Sequence, residues 1–80
     1  MLIFAGNLPS RMTEDQLRQT FEEFGQISSC TLMKDSTTGK SKGFGFIEMP
    51  DDNEALAAIA GLNGKEFDRR KLDVKKARPK

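Results

Sequence analysis

The sequence predicts an α+β domain of the order β-α-β-β-α-β, with a four-stranded antiparallel sheet and two helices on one face. Three observations predict it. Apolar residues alternate in four short segments, they recur at helical spacing in two others, and turn-forming residues separate the six. The 80 residues, 36% hydrophobic and 31% charged, suit a single compact domain over residues 1–80 with a basic end at 75–80.

The first strand and the first helix are marked by local signals. Residues 2–6 (LIFAG) form a short apolar strand that the turn-like segment NLPS ends. Thr13 followed by Gln16 has the capping-box pattern of a helix N-terminus. The predicted buried face of this helix, which Gly25 ends, consists of Leu17, Phe21 and Phe24.

The second and third strands form a wide hairpin. Residues 27–34 (ISSCTLMK) place Cys30 and Leu32 on the inner face of the sheet, and the polar loop DSTTGKS joins them to residues 42–49 (KGFGFIEM). Cys30 is expected to act as a small buried hydrophobic residue.

The second helix and the last strand complete the order. Asp51-Asp52 offers an N-cap, and Asn63-Gly64 ends the helix. Residues 71–77 (KLDVKKA) read as the last strand, with Leu72 and Val74 directed inward. Two helices can cover only one face of a four-stranded antiparallel sheet, so the other face stays exposed to solvent.

Phenylalanines are predicted on that exposed face. In residues 42–49, Ile47 and Met49 point to the core, which leaves Phe44 and Phe46 on the opposite side. Phe4 joins them by the same alternation in the first strand. An exposed cluster of aromatic side chains is unfavourable unless it binds a ligand. A flat sheet that carries aromatic side chains and cations suits the binding of unstacked bases.

The charge is unevenly distributed along the chain. Residues 1–68 contain 6 Lys or Arg against 11 Asp or Glu, whereas residues 69–80 contain 7 against 1. The net charge of +1 therefore combines −5 in the first segment with +6 in the second. The basic end is either a solubilising segment or a contact for an anion such as a phosphate backbone.

Two motifs resemble those of the RNA recognition motif family. The octamer at 42–49 is similar to the family pattern K/R-G-F/Y-G/A-F-V-x-F/Y, and residues 3–8 (IFAGNL) are similar to its partner on the first strand. The resemblance covers residues 2–79. In its details the chain looks most like the small single-domain members of the family in bacteria and their relatives in cyanobacteria and plants. The resemblance implies a ferredoxin-like sandwich that binds single-stranded RNA and acts as a post-transcriptional regulator or RNA chaperone-like protein.

The resemblance also implies roles for individual residues. Phe4 and Phe44 would stack on neighbouring bases, Phe46 would pack against the sugars, and Lys42 would contact a phosphate. Asn7 serves either in binding or only in the turn backbone. The remaining implied contacts are Thr31, Met33, Lys40, Lys75, Lys76 and Arg78. Arg69 departs from the family, which commonly has glycine there, and a φ above zero would be costly for arginine.

Other functions are weighed against RNA binding. A protein-binding module could use the same scaffold, with Leu56 and the acidic surface of the first helix as candidates. A third candidate is a small enzyme of the same layout, such as an acylphosphatase. The phosphate-binding loop of that family is not recognisable near residues 7–13 of this chain. A nucleotide-binding loop at 38–41 would need glycine at position 34, where Lys34 stands.

The remaining expectations concern cofactors, partners and location. No histidine and one cysteine exclude a usual zinc site and an internal disulfide, so no metal, cofactor or catalytic group is expected. No membrane span or signal peptide is predicted. The expected protein is a cytoplasmic monomer that binds single-stranded RNA. Single-stranded DNA is an alternative ligand, and a protein partner could bind the helical face.

Overall fold

The computed structural model of the protein describes residues 1–39 and 41–77. Its elements are β1 Leu2–Gly6, α1 Glu14–Glu22, β2 Ser29–Lys34, β3 Ser41–Glu48, α2 Asp52–Leu62, β4 Glu66–Phe67, β5 Arg70–Lys71 and β6 Asp73–Lys76. The main sheet is antiparallel in the order β2-β3-β1-β6. The predicted fold is therefore confirmed, and the small hairpin β4–β5 is an addition to it.

The core lies between one face of the main sheet and the two helices. Of the residues predicted to point inward, Cys30 is half-buried, and the others are buried, namely Ile3, Leu32, Ile47, Met49, Leu72 and Val74. The helices contribute Leu17, Phe21, Ala55, Ala58 and Leu62, each with no exposed surface. Because the core uses one face only, the opposite face of the sheet, called the open face below, carries the remaining strand side chains.

Helix α1 begins as predicted but ends earlier. The Thr13 hydroxyl accepts the Gln16 backbone N–H at 3.2 Å, and the Gln16 side chain accepts the Thr13 N–H at 3.0 Å. The last helical residue is Glu22 rather than Phe24. Gly25 serves a different purpose, because a Cβ there would collide with the Glu54 side chain. The Glu54 carboxylate needs that space to accept the backbone N–H of residue 26 at 3.1 Å.

The segment before the last strand differs from the prediction. Strand β6 begins at Asp73, and part of the predicted strand 71–77 instead belongs to the hairpin β4–β5. Asp68 and Arg69 form its two-residue turn with φ values of 48° and 67°. Two consecutive positive φ values are typical of the type I′ turn, which suits tight hairpins. The positive φ of Arg69 is the costly conformation that the comparison with family glycines had pointed to. Because neither turn residue is glycine, the hairpin itself was not predicted.

Replacing Arg69 with glycine is expected to stabilise the protein. A non-glycine residue in the left-handed region carries strain, so Arg69→Gly should raise the free energy of unfolding by about 0.5–1 kcal/mol. Urea denaturation measures the change. Lys71→Gly is the matched control, since it also removes one cation but lies in β5 without a positive φ, and it should destabilise. An Arg69→Gly protein that is no more stable than wild type would contradict this account.

Candidate nucleic-acid interface

Three phenylalanines form a cluster on the open face, called the phenylalanine cluster below. Phe4 of β1 pairs in register with Phe46 of β3, and Phe44 lies two residues before Phe46. The ring centroid of Phe4 lies 5.9 Å from that of Phe44 and 5.7 Å from that of Phe46. Phe44 and Phe46 are 6.2 Å apart and nearly perpendicular. All three side chains are half-buried, so the rings support one another while leaving surface for a ligand.

Glycines at two positions allow close packing on the two faces of the sheet. A Cβ at Gly6 would lie only 2.7 Å from Cε1 and 2.9 Å from Cζ of Phe4, so this ring extends along β1 over the glycine. Gly45 faces the other way, where a Cβ would lie 3.1 Å from the Leu17 side chain of α1. The small residues in the two motifs therefore let a ring lie over one face of the sheet and a helix lie close to the other.

The N-terminal end of β3 contains an irregularity that the sequence did not predict. In the pairing of β2 with β3, Leu32 faces Gly45 but Lys34 faces Ser41, so the two strands differ by two residues over this stretch. Gly43 lies within it and has a φ of 86°, a conformation that glycine adopts readily. Lys42 is exposed beside this irregularity. It lies at the end of the strand that carries Phe44.

Among the described residues, Lys75 is the cation placed most directly at the cluster. It faces Phe4 in the register of β1 with β6, and its Nζ lies 5.3 Å from the centroid of the Phe4 ring. The same Nζ lies 4.0 Å from Oδ2 of Asp73. Lys75 and Asp73 alternate with the buried Val74, so both belong to the open face.

Lys76 and Asn7 are placed differently from Lys75. Lys76 pairs in register with the buried Ile3, so by alternation it belongs to the side of the sheet that the helices cover, although it is exposed. The Asn7 amide donates to the Lys71 carbonyl at 2.8 Å and accepts from Nη1 of Arg70 at 3.3 Å. These bonds tie the end of β1 to the hairpin β4–β5. They agree with the structural alternative for Asn7, and its contact with RNA stays a prediction.

The remaining predicted contacts fall on β2 or outside the described residues. Thr31 faces Phe46 in register and is exposed, while Met33 is half-buried further along the strand. Thr31 therefore extends the open face beyond the cluster, whereas Met33 lies in the stretch where the register of β2 with β3 shifts. The contact of either residue with RNA stays a prediction. Lys40 and Arg78 lie outside the described residues.

Cys30 is half-buried rather than fully buried. Burial, reinforced by the negative charge of Glu14, raises the pKa of its thiol to about 11. The thiol therefore stays protonated near neutral pH, which agrees with the expected packing role. Within residues 1–39 and 41–77, no three acidic, cysteine or histidine side chains form a group that could hold a metal ion. No helix in the same part of the chain is long and apolar enough to cross a membrane.

The profile of the RNA recognition motif matches residues 3–73 of this chain. The chain belongs to the RNA recognition motif family. This finding confirms the resemblance inferred from the octamer at 42–49 and the hexamer at 3–8. The two motifs lie side by side on β3 and β1, the central strands of the sheet.

Individual relatives extend the comparison. The chain is 47% identical over 75 residues to human cleavage stimulation factor subunit 2, a match that covers 94% of this chain but only 13% of that protein. It is 44% identical to the RbpB protein of Nostoc sp., over 100% of this chain and 78% of that protein. Among solved structures, the Drosophila melanogaster Sex-lethal protein/RNA complex superposes with a TM-score of 0.93 at 33% identity, covering 99% of this chain and 47% of that one.

Proposed function

We propose that this RNA recognition motif binds single-stranded RNA on its open face, with neighbouring bases stacked on Phe4 and Phe44. The phenylalanine cluster is the observation that carries the proposal. Three aromatic rings on a solvent-facing sheet forgo burial that would stabilise the fold, which favours a binding role. The Sex-lethal domain, which superposes with this chain, was solved as a protein/RNA complex.

The cluster supplies most of the proposed binding energy. Each base stacked on an aromatic side chain contributes roughly 1–3 kcal/mol, and stacking tolerates any base because each has a π-face. Phe46 lies edge-on to both partner rings, a position that suits contact with the sugars between two stacked bases. The proposed role of Phe46 is therefore packing against sugars rather than stacking.

Cations at the rim of the open face would hold the phosphate backbone. Lys75 lies at the cluster, and Lys42 is exposed at the end of β3. The other proposed contacts are Asn7, Thr31, Met33, Lys40, Lys76 and Arg78. We further propose that residues 1–80 act as one non-enzymatic, monomeric, cytoplasmic binding domain in post-transcriptional regulation, an RNA chaperone-like role included, and that single-stranded DNA binds the same face.

Salt dependence tests the proposed electrostatic contribution. If about four phosphates are contacted, the logarithm of the affinity for a single-stranded RNA hexamer should fall against the logarithm of salt concentration with a slope near −2.8, about −0.7 per contact. Lys42→Ser should reduce the magnitude of that slope by about 0.7. Lys65→Ser is the matched control, since Lys65 lies over Phe67 away from the sheet and should leave the slope unchanged. An affinity that does not change with salt would contradict the proposal.

A protein partner on the helical face is the second candidate function. Leu56 of α2 is 52% exposed and is the large apolar side chain that the described residues leave most open to a partner. The acidic Asp15 of α1 and Glu23, which follows its last residue, are also exposed. Both surfaces lie opposite the phenylalanine cluster, so a partner there and RNA on the open face do not compete for the same residues.

A further inference from the structure

Asp73 places a carboxylate next to the surface on which a base would stack. It pairs in register with Gly6, over which the far edge of the Phe4 ring extends. Its Oδ2 lies 4.0 Å from Nζ of Lys75, and that Nζ in turn lies 5.3 Å from the centroid of the Phe4 ring. Asp73, Lys75 and the Phe4 ring are thus neighbours on the open face.

The ion pair with Lys75 does little to explain why an acidic residue stands at position 73. The side chains of Lys75 and Asp73 are 64% and 56% exposed, and exposed ion pairs contribute little to stability. A negative charge also repels the phosphates of RNA. Specific interfaces commonly contain such repulsive elements, because they discriminate against the wrong ligand.

Base chemistry indicates which ligand Asp73 would disfavour. A carboxylate accepts hydrogen bonds and donates none, so it pairs with the exocyclic amino group of cytosine. Uracil carries a carbonyl oxygen where cytosine has that amino group. A base stacked on Phe4 with its position-4 group toward Asp73 would therefore gain a hydrogen bond if it is cytosine and meet repulsion if it is uracil.

We propose that Asp73 determines base preference at the Phe4 position, favouring bases that present an amino group to its carboxylate and disfavouring uracil, whose O4 would face it. The inference rests on the proposed RNA binding and adds a specificity to it. Asp73 is not among the RNA contacts predicted from the sequence, although its spacing of two residues from Lys75 already assigns both to one face of the last strand.

The test compares the binding of two RNA hexamers, oligocytidylate and oligouridylate, by fluorescence anisotropy. They carry the same phosphates and differ only on the pairing edge of the base, at position 4 and in the proton on N3 of uracil, so their affinity ratio isolates base readout. The wild-type protein should prefer oligocytidylate by about five-fold, the low end for one base-edge contact. Asp73→Asn, which adds a donor, and Asp73→Ala, which removes the acceptor, should both bring the ratio close to one.

Asp15→Asn is the matched control. It removes the same charge from the helical face, and it should leave the ratio at the wild-type value. A wild-type ratio near one, or Asp73 variants that change both affinities equally, would overturn the specificity proposal while leaving RNA binding intact. If the wild-type protein binds neither hexamer, the proposed function itself fails together with this inference.

Discussion

Replacing Phe4 and Phe44 together with alanine is expected to weaken the binding of a single-stranded RNA hexamer by about 30-fold or more, since each lost stack costs about 1–3 kcal/mol. The two ring centroids lie 5.9 Å apart on adjacent strands, so the double variant removes both proposed stacking surfaces. Fluorescence anisotropy at fixed salt measures the loss. The salt slope should change little, because no cation is removed.

Phe67→Ala is the matched control for this double variant. Phe67 is also a half-buried phenylalanine, but it lies in β4, outside the four-stranded sheet. Its replacement should leave RNA affinity within about two-fold of wild type, because no base reaches it in the proposed mode. If Phe4 and Phe44 prove as dispensable for RNA binding as Phe67, the open face is not the binding surface.

Phe21→Ala is expected to have the largest effect on stability. The Phe21 side chain is completely buried under the inner face of the sheet, and truncating such a residue costs about 3–5 kcal/mol. A loss of that size is a large fraction of the total for a domain of this length. Chemical denaturation monitored by circular dichroism measures it.

Two variants at less buried positions provide the comparison for Phe21→Ala. Phe44→Ala removes a half-buried ring from the open face and should cost only about 1 kcal/mol of aromatic contact. Leu56→Ala, at the exposed position on α2, should stay within about 0.5 kcal/mol of wild type. Equal destabilisation by Phe21→Ala and Phe44→Ala would contradict the division of the sheet into a core face and a binding face.

The faces of the sheet could be predicted from the sequence because side chains alternate along regular stretches of strand. Once Ile47 and Met49 are assigned to the core, Phe44 and Phe46 must lie on the other side, and the structure agrees. The capping box at Thr13 was equally local and equally predictable. Patterns that depend on a few adjacent residues were therefore sufficient for the overall architecture.

Features that depend on distant partners or unusual backbone were not predictable. The turn at Asp68 and Arg69 uses positive φ values without glycine. The resemblance drew attention to position 69, but the local sequence did not predict the hairpin β4–β5. The hydrogen bonds of Asn7 reach a segment more than sixty residues away in sequence. Likewise, the position of the Phe4 ring over Gly6 depends on a side-chain rotamer that strand alternation does not determine.

The most direct test of the account is a ¹H–¹⁵N NMR titration of the protein with a short single-stranded RNA. The account predicts chemical-shift changes concentrated on the open face, at Phe4, Phe44 and Phe46 and along β6 around Lys75. Amides on the outer surfaces of α1 and α2 should change little. A silent sheet, or changes confined to the two helices, would contradict RNA binding at the phenylalanine cluster and favour the protein-binding alternative.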